Sequence, residues 1–234
     1  MKAERFRFVQ QSIMGNHEML RPLRTSILVY LSAILLFIPL QLRAVDEGID
    51  YSILKVVQPT ETGDQVEVLE VFWYSCPHCW HLEPTMQSWV ATLPAGAAFR
   101  RLPGADGRLE PHARAHYAAE LMGKLDVLHP ALFKAIHEDK RALWTEDALV
   151  EFAGQIGLDE QAFREAFNSF AVDAKVRKAQ DMSRRYGIDG VPAVIVNGKY
   201  RTSPSQAGDQ ERFTEVMNTL IARELAAKGA AAGQ

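Results

Sequence analysis

The sequence predicts an α/β sheet domain interrupted by an all-helical insertion. Three observations carry that class. "VEVLEVFWY" (Val66 to Tyr74) is rich in β-branched and aromatic residues and nearly continuous in apolar character, which marks a strand buried on both faces. "AVIVNGKYRT", far downstream, reads as two short strands joined by an Asn197-Gly198 turn. Between them, from about Pro111 to Tyr186, the pattern is helical throughout.

The elements follow in chain order. Arg21 and Arg24 precede the apolar run Ile27 to Leu40, which contains Pro39 and leads to the small residue Ala44. Basic region, short apolar core and small residue are the order of an export signal, here residues 1–44. Met19 would begin a signal of ordinary length, which makes residues 1–18 a start-site artefact. An uncleaved anchor is the alternative, but the run falls short of the roughly 20 apolar residues that a spanning helix needs. Removing residues 1–44 takes away 6 basic and 2 acidic residues, leaving 20 against 27 and a net charge near −7. No basic stripe remains to neutralise phosphates, so nucleic acid is excluded as a partner.

The strand at Val66 to Tyr74 runs into "SCPHCWHLEPTMQSWV", whose apolar residues Trp80, Met86, Trp89 and Val90 repeat with helical spacing and whose Pro84 predicts a kink. Cys76 and Cys79, at this turn, are the 2 cysteines of the chain. An exported protein meets an oxidising compartment. A bridge closing so short a loop removes little entropy from the unfolded chain, so chemistry explains the pair better than stability does. Cys76 falls at the helix N-cap with Pro77 at the first helical position, where its missing N–H costs nothing. Free N–H groups and the positive helix end then face the Cys76 sulfur and favour the thiolate, which is the attacking and leaving species of disulfide exchange. The dipole contributes about 0.3–1 kcal/mol, up to ~2 when partly buried, far less than the several pH units of strongly shifted thiols. Direct hydrogen bonds to the sulfur and a protonated His78 are expected to supply the rest. Cys79, about one helical turn on, is the expected shielded, resolving sulfur. A zinc site is the bland alternative: Cys76 and Cys79 with His112 and His116 of "HARAH" form a Cys2His2 set. A strand end is a poor place for a zinc knuckle, however, and the two histidines are expected on a helix surface.

Ala98 to Leu102 reads as a further strand. In the helical block, Thr145, Asp159 and Asn168 are expected caps and Gly157 and Gly187 expected stops. Pro192 stands at the entry of the hairpin, where a proline is tolerated. Asp209 can cap a last helix whose apolar face includes Phe213, Val216, Met217, Leu220 and Ile221. The Ala/Gly-rich end from Ala226 is expected to fray. The resulting division is residues 45–110 and 187–228 for the two parts of the sheet domain, 111–186 for the helical insertion and 229–234 for a flexible tail.

"CPHC" after "VLEVFWY", the helical block, "FNSFAVDAKV" near its end, and "GVPAVIVNGKY" downstream closely resemble the DsbA family of bacterial periplasmic thiol:disulfide interchange proteins. The likeness runs from about Tyr51 to Leu225. It implies a thioredoxin fold with an all-helical domain inserted, and a low-pKa, strongly oxidising cysteine pair. It makes Cys76 the nucleophile, Cys79 its partner, and Pro192 a cis proline beside the disulfide. Val191 then offers backbone groups to an extended substrate peptide. Glu70 matches the family's buried acid beneath the site, a proton acceptor for Cys79. Its basic partner on the next strand is Arg100 or Arg101, and an arginine does not relay protons as a lysine can. Trp80 sits where the family often has another aromatic, either lining the groove or packing.

The reading is an exported dithiol oxidase. It donates the Cys76–Cys79 disulfide to reduced, newly exported proteins in the periplasm and needs no cofactor and no metal. It acts as a monomer and is recycled by a DsbB-like membrane quinone-coupled oxidase. A disulfide isomerase or reductase is the rival within redox chemistry, although no dimerisation domain is evident. A peptide-binding chaperone with incidental thiols is the rival outside it.

Overall fold

The computed structural model describes residues 44–232. The expected export signal and the alternative start at Met19 lie outside the described residues, Ala44 excepted. The strands are β1 (Ser52–Ile53), β2 (Val66–Phe72), β3 (Ala97–Pro103), β4 (Ala193–Val196) and β5 (Tyr200–Thr202). The helices are α1 (Pro77–Val90), α2 (Glu110–Leu121), α3 (Leu125–His137), α4 (Glu146–Gln155), α5 (Glu160–Phe167), α6 (Phe170–Arg185), α7 (Pro204–Ala207) and α8 (Gln210–Ala232). The strands form one sheet in the order β1-β5-β4-β2-β3. β2 pairs parallel with β3 and antiparallel with β4, so it lies inside the sheet. The helical insertion, α2 to α6, falls between β3 and β4, as the sequence predicts.

All seven residues of β2 are buried, because both faces of the sheet are covered. Strand alternation divides them. Leu69 and Val71, with Ile195 of β4, join the core shared with the insertion, which includes Leu132 and Phe133 of α3 and Leu149 of α4. Val66 and Val68, with Val194 and Val196, join a second core against Leu82 and Met86 of α1 and Phe213, Val216 and Leu220 of α8. Two carboxylates interrupt this apolar strand, Glu67 and Glu70, each nearly inaccessible to water. Register explains their tolerance. β3 lies alongside with Arg100 opposite Leu69 and Arg101 opposite Glu70. Arg100 bonds Glu67 at 3.1 Å and Arg101 bonds Glu70 at 3.0 Å.

Several local expectations hold. Thr145, Asp159 and Asp209 accept hydrogen bonds from the N–H groups of Ala148, Ala162 and Arg212. Gly157 and Gly187 follow α4 and α6 with positive φ. Others are corrected. The cap of α6 is Ser169, whose side chain accepts from the Val172 N–H. Asn168 closes α5 and donates to Glu146 at 2.8 Å. α8 extends through the alanine-rich stretch to Ala232, since alanine is the strongest helix former. His112 and His116 are not on a surface: they are 2% and 1% exposed. The small alanines of "HARAHYAA" let neighbouring helices approach α2 closely, and each histidine finds a partner. The His112 Nε2–H donates to the Leu143 carbonyl at 2.7 Å, and His116 Nδ1 is 3.0 Å from the Tyr74 hydroxyl.

Candidate functional site

β2 ends at Phe72, and a short turn brings Cys76 to the N-cap of α1 with extended backbone (φ −86°, ψ 117°) and Pro77 at the first turn. The Cys76 carbonyl accepts the first helical bond, from the Trp80 N–H at 3.1 Å. Its side chain caps nothing, so the sulfur is left for other partners. Cys79 is shielded as expected, at 1% exposed, but Cys76 is buried as well, at 9% exposed, rather than open to solvent. From across the site comes the segment entering β4. Val191–Pro192 is a cis peptide bond, and the Val191 carbonyl oxygen lies 3.6 Å from Cys76 Sγ. Beside them a cleft of about 540 Å³ runs between the start of α1 (His78, His81, Leu82), Val191 and Pro192, and the Ser203–Gln206 turn.

Two cysteines in one helical turn are held in opposite protonation states. The Cys76 thiol is lowered from 9.0 to about 6. The hydrogen bond from the Cys79 thiol contributes most. Burial opposes it, and the backbone N–H groups of Cys79 and His78, then the His78 charge, add to it. The Cys79 thiol moves far upward, first because it donates that same bond and then because it is buried. Glu70 lies beneath them, on the sheet face that carries α1. Burial raises its carboxyl to about 7, against the pull of Arg101. Among the two candidate bases it is therefore Arg101 that serves Glu70; Arg100 serves Glu67 and Glu61 instead.

Other sequence-derived residues fall differently. Trp80 does not line the cleft. It is half-buried and stacks on His137 of α3, with ring centroids 6.0 Å apart and planes at 4°, so it fastens the insertion to α1. His112 and His116 bond the Leu143 carbonyl and Tyr74, which leaves no Cys2His2 set. Among the described residues no cluster of three or more His, Cys, Asp or Glu is placed to hold a metal. Glu83 was missed. It follows Cys79 by four residues, on the buried side of α1 with Leu82 and Met86, and its Oε1 accepts from Arg101 Nη2 at 2.9 Å. A carboxylate on the apolar stripe of a helix was the available signal.

A dithiol at a strand-to-helix turn, with one sulfur tuned toward its thiolate and a cis proline facing it, defines a thiol:disulfide oxidoreductase. A family profile, the DSBA-like thioredoxin domain, matches residues 101–217. The thiol:disulfide interchange protein DsbA of Burkholderia cepacia is 38% identical over 177 residues, covering 74% of this chain and 83% of its own. That of Azotobacter vinelandii is 38% identical over 182 residues, covering 77% and 85%. The crystal structure of Pseudomonas aeruginosa DsbA is similar with a TM-score of 0.75 at 36% identity, covering 78% of this chain and 95% of that one. The chain belongs to the DsbA family, and its architecture is the DsbA-like thioredoxin fold with a helical insertion.

Proposed function

We propose that this oxidoreductase works as a dithiol oxidase of newly exported proteins, with Cys76 as the exchanging sulfur. A client thiolate attacks Cys76 Sγ of the Cys76–Cys79 disulfide. The S–S bond breaks, and Cys79 leaves with the electron pair and takes up a proton. A second client thiol loses its proton and attacks the client sulfur of the mixed disulfide, so the client departs oxidised and Cys76 is released as a thiolate. The enzyme is reduced by two electrons and the client oxidised by two. The redox centre is the disulfide itself, with no further cofactor.

The lowered Cys76 thiol carries this reading. A group that leaves readily as a thiolate drives the second step forward and stabilises the reduced enzyme, which makes its disulfide a strong oxidant. Pro77 preorganises the first turn, and His78 adds charge beside the sulfur. The Val191 backbone and Pro192 hold an extended client strand across Cys76. Glu70 supplies the proton that Cys79 takes up and accepts it again on reoxidation. The expected setting is the periplasm, reached through the signal in residues 1–44, with a monomeric enzyme reoxidised by a DsbB-like membrane quinone-coupled oxidase. The test is the equilibrium of the purified protein with glutathione, followed by thiol labelling, beside oxidation of a reduced client. The protein is expected to oxidise the client stoichiometrically and Cys76→Ser to lose this entirely. A pair that stays oxidised in a reducing glutathione buffer refutes the oxidase, and isomerisation without net oxidation favours the isomerase.

A further inference from the structure

The cleft beside the cis proline contains an arginine that leaves one edge unpaired. Arg201 of β5 lines it, with His78 and His81 of α1 on the opposite wall. Among the described residues lining this cleft, Asp189 is the one acid. Arg201 Nη1 donates to the Gly187 carbonyl and lies 3.6 Å from Asp189 Oδ1. Asp189 is beyond hydrogen-bond range and 86% exposed, so it engages the guanidinium weakly. Nε and Nη2, the fork along the other edge of the guanidinium, make no hydrogen bond among the described residues.

Other arginines of this chain fill that edge with carboxylate. Arg212 Nε and Nη2 donate to the two oxygens of Asp50 at 3.1 and 2.7 Å. Arg114 gives Nε to Glu110 at 2.8 Å and Nη2 to Asp173 at 2.9 Å. Arg101 gives Nε to Glu70 at 3.0 Å and Nη2 to Glu83 at 2.9 Å. Greater exposure does not set Arg201 apart, since its side chain is 26% accessible against 19% for Arg101 and Arg114. Such a fork matches a carboxylate with two parallel N–H···O bonds, and it remains charged at every pH the protein meets. Strand register sets its reach. Arg201 pairs with Ile195, three residues beyond Pro192 along β4, or about 10 Å at ~3.4 Å per residue. A client strand held at Val191 covers that distance in about three residues, and in fewer once the length of the arginine side chain is counted.

We propose that Arg201 is a specificity-determining residue: its free fork takes an aspartate or glutamate side chain of the client, two or three residues from the attacking cysteine. The inference rests on the oxidase reading above and names the clients that reading favours. The net negative charge expected of the mature chain repels acidic clients at a distance, but salt screens that repulsion within about 8 Å. The contact at Arg201 is short-range and survives the screening.

The experiment mixes the oxidised full mature chain with an excess of reduced two-cysteine peptides and follows their oxidation by acid quench, alkylation and mass spectrometry. Two electrons pass from the peptide dithiol to the Cys76–Cys79 disulfide. The peptides are amidated at the C-terminus and differ in one residue, Glu, Gln or Lys, placed two or three positions before or after the first cysteine. At one or more of these positions the Glu peptide is expected to react about fivefold faster than the Gln peptide, or about 1 kcal/mol at ~1.4 kcal/mol per factor of ten, and the Lys peptide slower than both. Arg201→Gln is expected to bring the Glu-to-Gln ratio to about one. Arg201→Glu is expected to make the Lys peptide the fastest, and Arg201→Lys, which keeps the charge without the fork, to give an intermediate ratio. Ratios are the readout because Arg201 also holds the Gly187 carbonyl: a merely structural role slows every peptide alike and keeps the ratio, which overturns the proposal. A Glu preference that survives Arg201→Gln also overturns it and moves the selection to His78 and His81. If the wild type oxidises every peptide at the same rate, this inference falls alone; if it oxidises none of them, the oxidase reading falls and takes this one with it.

Discussion

Cys79→Ala isolates the interaction that contributes most to the Cys76 thiolate. The thiol moves from 9.0 to about 6, a preference for the ionised form of about 4 kcal/mol at ~1.4 kcal/mol per factor of ten. Solvent screening reduces this to about 2–3 kcal/mol. A hydrogen bond to a charged group contributes about 1.5–3 kcal/mol, so the Cys79 thiol alone can account for roughly one to two pH units. With that bond deleted, the helix N–H groups and His78 remain, and the Cys76 midpoint is expected to climb from about 6 into the range ~7–8. Cys79→Ser keeps a donor at the same place and is expected to recover at least half of the effect. The assay is thiolate ultraviolet absorbance against pH on the two variants, each of which retains one thiol. A Cys79→Ala midpoint that stays near 6 refutes the reasoning and transfers the stabilisation to the helix end. Equal midpoints for the alanine and serine variants refute the hydrogen bond specifically.

Further outcomes follow from the same geometry. His78→Ala keeps the backbone N–H and loses the smallest contribution, so oxidation of clients persists while the reduction potential falls by roughly 10–40 mV, read by glutathione equilibrium. Because the Cys76 pKa is depressed in the folded reduced protein, its stabilisation is fully present above the unfolded thiol value near 9 and is lost as pH falls through about 6. The Tm advantage of the reduced over the oxidised form is therefore expected to shrink by about 4–10 °C between pH 9 and pH 5, by scanning calorimetry; a constant gap contradicts it. Trp80→Ala removes the stack on His137 and is expected to lower stability by about 2–3 kcal/mol in urea titration while client oxidation continues; unchanged stability with lost oxidation returns Trp80 to the groove.

What the sequence made legible was local. Val66 to Phe72 declares a doubly covered strand by its apolar run, Asn197-Gly198 declares a hairpin, and Thr145 and Asp159 declare helix starts. Each signal lies within a few residues, where backbone sterics and first-turn hydrogen bonds decide. The family likeness added the cis peptide at Pro192, which local pattern alone did not give. What stayed hidden was the partner of each buried polar group. "FRRLP" shows two arginines on opposite faces of a strand, but which carboxylate each meets depends on the register of β3 against β2. "HARAH" reads as a polar surface helix because its histidines and Arg114 hide how many alanines lie between them. Ser169 prevailed over Asn168 at α6 because Asn168 was already engaged with Glu146 across the loop. The burial of His129 carried no local sign at all, since it arises from α3 packing over Tyr74 and Glu83.

The depressed Cys76 and the raised Cys79 are one interaction seen from two ends. What the Cys79 thiol gives Cys76 as an anion it loses as an acid. The chain therefore needs no second device to make its cysteines unequal; it needs only a difference in access to the helix N–H groups, which the N-cap supplies to Cys76 and a position one turn deeper denies to Cys79. Inequality of this kind also sets direction. A mixed disulfide on Cys76 has a good leaving group in the lowered thiol, so a second client thiol displaces it readily. Cys79 competes for the same mixed disulfide only if it first gives up a proton that the buried environment holds tightly. In the proposed reaction, slow resolution by Cys79 leaves time for the client to complete its own bridge.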